Sequence, residues 1–236
     1  MSFKLQQLII TLFVKDLKPA FISPNALQYT GVIPSEWKLT ENPVYSDREL
    51  KLSFINQVSF GIQPNRIILA EAIDRKSLDD VLMVEVIDNY LRVFSKLDYQ
   101  AISIASSGYC NFQSQSQVAQ YMSQQLLGSK PWSQFEQHKT DTLSLKLGYP
   151  YKSGNFYLNI DRANLKIQNK DIPAVWFAGS FNYPLINSSN TDKMKNLQQL
   201  IQDWQVDVNK FSSFIEQKFL ASQTDLEVSV FETGSL

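Results

Sequence analysis

An apolar pattern near the C-terminus constrains the fold of this chain more than any other feature. An apolar side chain recurs there at alternating steps of three and four residues, on Met194, Leu197, Ile201, Trp204, Val208, Phe211 and Ile215. That spacing places all of them along one side of an α-helix, as in a heptad seam. We therefore predict a continuous amphipathic helix over 192–220, about 40 Å long at about 1.5 Å per residue.

The apolar seam of this helix must be hidden from water, and two arrangements would do so. The helix can pack across a sheet of its own chain, as amphipathic helices in α+β domains usually do. It can instead pair with its own copy or with another protein, and Phe214 and Phe219 add apolar surface that an interface would need. The sequence leaves both arrangements open, so the seam residues are our candidate interaction site.

Most of the remaining chain has the alternation of apolar and polar residues that is typical of β-strands. Such patterns predict strands at 5–14, 50–54, 58–62, 66–72, 99–106, 143–147, 156–167 and 174–182. The first is apolar on both faces, which predicts a central strand or one covered on both sides. Gly179 indicates a bulge or a close backbone approach. Prolines between Lys15 and Pro43 predict loops, with an extended piece near 27–30.

Two further helices are predicted, and together with the strands they indicate an α+β fold. One covers 78–97, with Ser77 as its N-cap, and a glutamine-rich one covers 114–127. We expect an antiparallel sheet flanked by about three helices. The chain divides into 1–112, 113–220 and a polar tail, 221–236, unless the first two parts form one domain. Both parts run from strands to a helix, as duplication of a β-β-β-α unit would give, although no residue-level repeat supports it.

The scarcity of reactive residue types argues against several kinds of site. One cysteine and one histidine, Cys110 and His138, cannot form a structural zinc site within the chain. None of the eight glycines belongs to a dinucleotide-binding, P-loop or nucleophile-elbow motif. We read Cys110 as a buried thiol and His138 as a solvated loop residue. The sequence therefore predicts no catalytic residue, no metal and no cofactor.

Charge and hydropathy limit which partners and which cellular location the sequence favours. The formal net charge is −1 and the isoelectric point about 5.9, which argue against a nucleic-acid partner. No apolar run approaches the ~18 residues that a membrane span needs. The apolar run at 8–14 is read as a strand rather than a signal peptide. A lone thiol fits a reducing compartment, so we expect a soluble cytoplasmic protein.

Three hypotheses for the function follow. The first is a non-enzymatic scaffold or assembly factor that binds another protein, or its own copy, through surfaces that include the C-terminal helix. The second is an enzyme or nuclease whose carboxylates meet only in the folded chain, drawn from Asp47, Glu49, Glu71, Asp74, Asp161 and Asp203. The third is RNA binding through the aromatic hairpin 149–157. The pair Asp203 and Asp207 has the spacing of any solvated helix face.

Overall fold

The computed structural model describes residues 2–127, 134–135, 138–139, 143–167, 170–185 and 189–221. It contains a nine-stranded antiparallel sheet and a separate two-stranded pair. In chain order, the strands are β1 (Lys4–Val14), β2 (Val44–Tyr45), β3 (Leu50–Ser53), β4 (Val58–Gln63), β5 (Arg66–Ala72), β6 (Tyr99–Asn111), β7 (Gln134–Phe135), β8 (His138–Lys139), β9 (Ser144–Tyr151), β10 (Gly154–Ile167) and β11 (Lys170–Pro184). The predicted α+β class and the antiparallel sheet are confirmed.

The order of strands across the large sheet is β2-β3-β4-β5-β1-β6-β11-β10-β9. The predicted central position of β1 is therefore confirmed, since it lies between β5 and β6. Only one of its faces is fully buried, however. Leu8, Ile10 and Leu12 are inaccessible to solvent, whereas Phe13 on the other face is 39% exposed.

The helices are α1 (Pro24–Tyr29), α2 (Met83–Val93), α3 (Gln115–Gln120), α4 (Asn190–Gln202) and α5 (Trp204–Ile215). They pack on one face of the sheet, which we call the covered face. Its side chains include Phe60, which contacts Tyr90 of α2, and Phe156, which contacts Phe211 of α5. The opposite side is called the open face. None of the described helices is long and apolar enough to cross a membrane.

The first helix replaces the extended piece that was predicted at 27–30. Pro24 occupies the first helical position, where a missing N–H costs nothing, and Ser23 caps the helix by accepting a hydrogen bond from the Ala26 backbone N–H at 3.2 Å. The prediction was wrong because Pro24 was read as blocking a helix. At that position it favours one.

The helix predicted over 78–97 is shorter than expected. Ser77 caps a single 3-10 turn, Leu78–Asp80, and α2 begins only at Met83. The N-terminus of α2 is capped from the sheet, because Glu71 on β5 accepts hydrogen bonds from the backbone N–H groups of Leu82 and Met83, both at 2.9 Å. The predicted N-cap therefore belongs to a separate turn.

The C-terminal helix is interrupted at Asp203, so the prediction of one continuous helix over 192–220 is wrong. The backbone of Asp203 has a ψ of 7°, and it separates α4 from α5. Aspartate favours helix ends over helix interiors because its side chain competes for backbone hydrogen bonds. A π-helical turn, Glu216–Leu220, then extends α5 to 17 residues.

The order of elements repeats along the chain. Residues 4–93 contain a strand, a short helix, the meander β3-β4-β5 and α2. Residues 99–220 contain β6, α3, the meander β9-β10-β11, and then α4 and α5. The two first strands, β1 and β6, pair at the centre, and the meander β5-β4-β3 on one side corresponds to β11-β10-β9 on the other, while β2 has no counterpart among the described strands of the large sheet.

Gly179 on β11 marks a close approach rather than a bulge. The pairing of β11 with β10 and β6 runs through this residue without a register shift. A Cβ at this position would lie 2.5 Å from a ring carbon of Phe211. The absent side chain thus lets α5 sit directly on the sheet.

Candidate functional site

The seam residues of the C-terminal helices lie against the covered face. Leu197, Ile201, Trp204, Val208, Phe211 and Ile215 are all buried, and Met194 is half-buried at the edge of the same core. The ring of Phe211 contacts Phe3 and Phe156, which come from the two halves of the sheet. In this fold the chain's own sheet covers the seam. Binding of a partner by these side chains stays a prediction.

The aromatic hairpin 149–157 divides between the two faces of the sheet. Tyr149 and Phe156 stack with ring centroids 5.9 Å apart, and both contact Phe214 in α5. Tyr151 packs on Phe181, also on the covered face. Tyr157 alone among these aromatics points to the open face, where it is 39% exposed. Three of the four aromatic residues of the predicted stacking platform therefore lie on the covered face, where Tyr149 remains 37% exposed.

Asp207 forms a buried polar cluster between α5 and this hairpin. Its side chain is 1% exposed, which overturns the interpretation of this residue as part of a solvated helix face. Tyr183 donates a hydrogen bond to it at 2.6 Å, Lys152 at 3.2 Å and Tyr151 at 3.3 Å. All acceptor oxygens of the carboxylate are therefore engaged by donors from the chain itself.

The electrostatics of this cluster favour its present protonation states. Burial, and then the hydrogen bond to Asp207, raise the pKa of the Tyr183 phenol. Burial by itself lowers the pKa of Lys152, but the hydrogen bond and charge of Asp207 outweigh it, so the pKa lies above its usual value. The tyrosine stays neutral and the lysine charged. The cluster stabilises the fold and offers no free acid or base.

Three of the six carboxylates proposed for an enzymatic site lie on different parts of the fold. Glu71 lies on the covered face of β5, where Lys76 and the start of α2 engage it, while Asp161 lies on the open face of β10. Asp203 separates α4 from α5. The described residues contain no group of three metal-ligating side chains. We base no proposal on this second hypothesis.

The remaining candidate residues and hollows that the structure describes do not form a catalytic site. Cys110 is buried, as predicted, and burial raises the pKa of its thiol. The side chain of His138 lies outside the described residues. Two adjoining hollows of about 420 and 240 Å³ share Phe112 and Gln117 in their walls, and glutamines supply most of their polar groups. No described side chain there is placed for nucleophilic or acid–base chemistry.

The open face differs from the covered one in the size of its side chains. A row of directly paired residues crosses it from β11 to β4: Ser180, Ala105, Ile9, Ala70 and Ser59. Ala178 and Ser107 pair in the next row, and Asn182 and Ser103 in the row on the other side. We call these residues the floor. Because neighbouring strands lie about 4.8 Å apart, the row spans roughly 19 Å.

Larger side chains border the floor on three sides. Phe13 on β1 pairs with Arg66 on β5 at one end. Trp176 on β11 pairs with Tyr109 on β6 at the other end. Tyr157 on β10 pairs with Ser180 at the side. We call these five residues the rim. At about 3.3 Å per residue along a strand, its two ends lie roughly 26 Å apart.

The open face is also the more basic one. Lys4, Arg66 and Lys146 point to it, and no described carboxylate lies within ion-pair distance of any of the three. Lys51 also points there but is 3.9 Å from Glu41. Asp161 is the one carboxylate that the described strands of the large sheet direct to this face. The local charge is positive although the net charge of the chain is −1.

Comparisons with known proteins do not place this chain in a family. No protein-family model matches it, and no curated protein is significantly similar to it in sequence. The candidate site therefore depends on the geometry alone. Sequence reasoning missed it because Ser, Ala and Gly in strands give no contrast between faces, and the rim residues come from five strands that meet only in the folded sheet.

Proposed function

We propose that this chain is a non-enzymatic binding protein whose partner docks on the open face of the sheet. The observation that carries the proposal is the floor of mostly small side chains, with Ile9 at its centre, and its aromatic and cationic rim. An antiparallel sheet commonly leaves one face to water, so exposure by itself means little. A low floor differs, because it lets a partner approach the strands closely while Phe13, Trp176 and Tyr157 of the rim supply accessible aromatic surface. Tyr109, at 6% exposed, backs the rim rather than adding contact surface.

The buried parts of the molecule support this assignment of roles. The C-terminal helices, which the sequence offered as an interaction surface, cover the opposite face, and the Asp207 cluster is satisfied internally. A scaffold role is retained from the first hypothesis, but the surface that performs it moves to the other side of the sheet.

Hydroxyl-radical footprinting in an extract of the source cells tests this function without assuming the class of partner. Oxidation of Phe13, Trp176 and Tyr157 is compared between the purified chain in buffer and the same chain added to the extract. We expect these rim residues to be protected in the extract. Tyr29 and Val206, which are 94% and 52% exposed and lie outside the open face, serve as controls that stay reactive.

Equal oxidation of the rim in buffer and in extract would contradict the proposal. Uniform protection that includes Tyr29 and Val206 would contradict it as well, because it would show a general effect of the extract rather than a docked partner.

The repeated order of elements further supports an origin of the two halves by duplication of one unit. In that case Phe13 and Tyr109, which lie at corresponding ends of the central strands β1 and β6, are equivalent rim positions. Superposition of the backbone of 4–93 on that of 99–220 tests this origin. Failure of α2 to fall on α4 or α5 when the strands are aligned would contradict it.

A further inference from the structure

We infer that the partner of the open face is single-stranded nucleic acid. This inference rests on the proposed function, since it names the class of partner that docks there. Its basis is the juxtaposition of cations that have no carboxylate partner among the described residues, accessible aromatic rings and small polar side chains on one continuous face.

The charge of the face selects a polyanion. Lys4, Arg66 and Lys146 lie at three separate edges of the floor, and no described carboxylate neutralises them. Lysine and arginine along a groove bind phosphates and release counterions, which supplies most of the affinity for a nucleic-acid backbone. A second copy of the chain fits less well, because two such faces would bring an excess of like charges together.

The aromatic rim offers platforms for stacking. The ring of Tyr157 lies over Gly148 on the edge strand β9, since a Cβ on that glycine would be 3.2 Å from two ring carbons. One side of the ring is thus supported by backbone and the other remains accessible, with the residue 39% exposed. Phe13 has the same exposure, and Trp176 is partly exposed. Unpaired bases stack on rings of this kind in sheet-based binders.

The floor supplies hydrogen-bonding groups between these platforms. Asn182, Ser103 and Thr11 follow one another across β11, β6 and β1 in a single paired row, and Asn159 lies one strand further out, beside Ala178. Amide and hydroxyl groups can pair with base edges and sugar hydroxyls. Because stacking requires bases that are free of a duplex, the arrangement favours a single strand.

This inference departs from the expectation that the composition disfavours nucleic acid. The net charge of the whole chain combines both sides of the sheet. Acidic residues such as Asp79, Asp80 and Glu85 lie on the covered side, at the start of α2 and in the turn before it, so they offset the positive charge of the open face in that sum. Of the aromatic residues in the predicted hairpin, Tyr157 is the one that points to the open face. The remaining contacts come from strands that are distant in sequence.

Fluorescence anisotropy of a labelled oligonucleotide tests the inference with the full chain. Oligo-U and oligo-dT of about 20 residues are long enough, since single-strand-binding folds cover ~4 to 16 nucleotides. We expect saturable binding whose affinity falls as salt increases, with a log–log slope near −2 for three phosphate contacts at about −0.7 each. A duplex of the same length should bind at least ~10-fold more weakly. Absence of binding at low salt, or equal affinity for the duplex, would overturn the inference.

Matched variants locate the bound strand. The double variant Arg66→Glu/Lys146→Glu should weaken binding at least ~10-fold and flatten the salt slope. The control, Lys195→Glu/Lys218→Glu, makes the same change of charge at exposed positions of the helix layer and should bind as the wild type does. Equal effects of the two double variants would contradict binding at the open face.

The contribution of base stacking to binding can be measured separately. Tyr157→Ala should weaken binding by about 5- to 100-fold, the range expected for loss of one stacked base. Bound oligonucleotide should also quench Trp176, while Trp204, which is 5% exposed on the covered face, is unaffected. Quenching should therefore be reduced in Trp176→Phe relative to the wild type. Persistence of the full quenching in that variant would overturn the placement of the strand.

Nuclease treatment separates this inference from the proposed function. If the rim is protected in the extract and the protection is lost after treatment with single-strand nuclease, both stand. Protection that survives the nuclease overturns the nucleic-acid inference and leaves the proposed function intact. Unprotected rim residues would overturn the proposed function itself.

Discussion

The two faces of the large sheet use the same strands for different purposes. On the covered face, alternate residues of each strand are large and apolar, and helices bury them. Phe60, Phe177 and Phe211 are at most 1% exposed there. On the open face, Ser180, Ala105 and the neighbouring residues form a low floor. The comparison shows that stability and binding can be separated by the pleat of a strand, since successive residues point to opposite sides.

The largest expected difference in stability between the two faces follows from replacing an aromatic residue with alanine. Phe211→Ala should lower the free energy of unfolding by about 3–5 kcal/mol, because it leaves a cavity between α5 and the sheet. Phe13→Ala on the open face should cost about 1 kcal/mol or less. Urea denaturation of both variants measures the difference. Similar losses would show that the open face is also packed against part of the fold.

The next largest difference in stability between the faces is expected when a tyrosine loses its hydroxyl group. Tyr183→Phe removes the 2.6 Å hydrogen bond to buried Asp207 and should cost about 1.5–3 kcal/mol. Tyr157→Phe on the open face should change the free energy of unfolding by less than about 0.5 kcal/mol. Chemical denaturation again provides the measurement. A neutral Tyr183→Phe would show that the Asp207 cluster does not hold the hairpin on α5.

Two glycines, one on each face, test how closely other atoms pack against the sheet. Gly179→Ala places a Cβ 2.5 Å from the Phe211 ring and should cost about 1–3 kcal/mol through overpacking. Gly61→Ala points to the open face, where the nearest atoms would be 3.6 and 3.8 Å away. That change should be nearly neutral in a thermal melt. Equal effects of the two substitutions would be inconsistent with helix packing on one face only.

The smallest effect is expected for a buried hydroxyl that lacks a partner. Tyr90 in α2 is fully buried between Phe60 and Phe94, and its hydroxyl makes no hydrogen bond to any described residue. Tyr90→Phe should therefore leave stability at pH 7 unchanged or raise it by up to about 1 kcal/mol, which denaturation can measure. A loss above that size would reveal a hydrogen-bond partner for this group.

The same substitution should alter the response to alkali. Burial raises the pKa of Tyr90 above its ordinary value of 10.0, so the unfolded chain releases this proton at lower pH than the folded chain. Its contribution to stability is complete below about pH 10 and is lost as the pH rises toward the folded value. Tyr183 and Lys152 act in the same direction. The decline of stability above pH 10 should be shallower in Tyr90→Phe, and an unchanged decline would contradict this account.

The covered face was largely predictable from the sequence, because its residues are large and periodic. The seam from Met194 to Ile215 predicted a buried helical face, and alternation within the strands predicted half-buried segments. The buried Asp207 was missed, although it lies beside Trp204, Val208 and Phe211 on the same helical stripe. Two of its three partners, Tyr151 and Lys152, come from a hairpin more than fifty residues earlier, and the third, Tyr183, comes from β11. Only the fold brings them near.

The open face could not be predicted in the same way. Small residues, such as those around Ala105 and Ser107 in β6, differ little from their neighbours in hydropathy. The sequence therefore shows no alternation there that would tell one face of the strand from the other. The rim depends on register, since Phe13 meets Arg66 and Trp176 meets Tyr109 only through strand pairing. The repeated order of elements was visible in outline, and its second copy begins at β6, near residue 99. The division of the chain into domains at 112 and 113 stays a prediction.

Site-specific photo-crosslinking tests most directly the claim that one face stabilises the fold and the other binds. A photoreactive amino acid is placed at Ser180 in the floor, or at exposed Ser213 in α5 as the control, and the full chain is irradiated in the source cells. The account predicts a crosslinked product from position 180 and none from position 213. A product from position 213 with none from position 180 would contradict it.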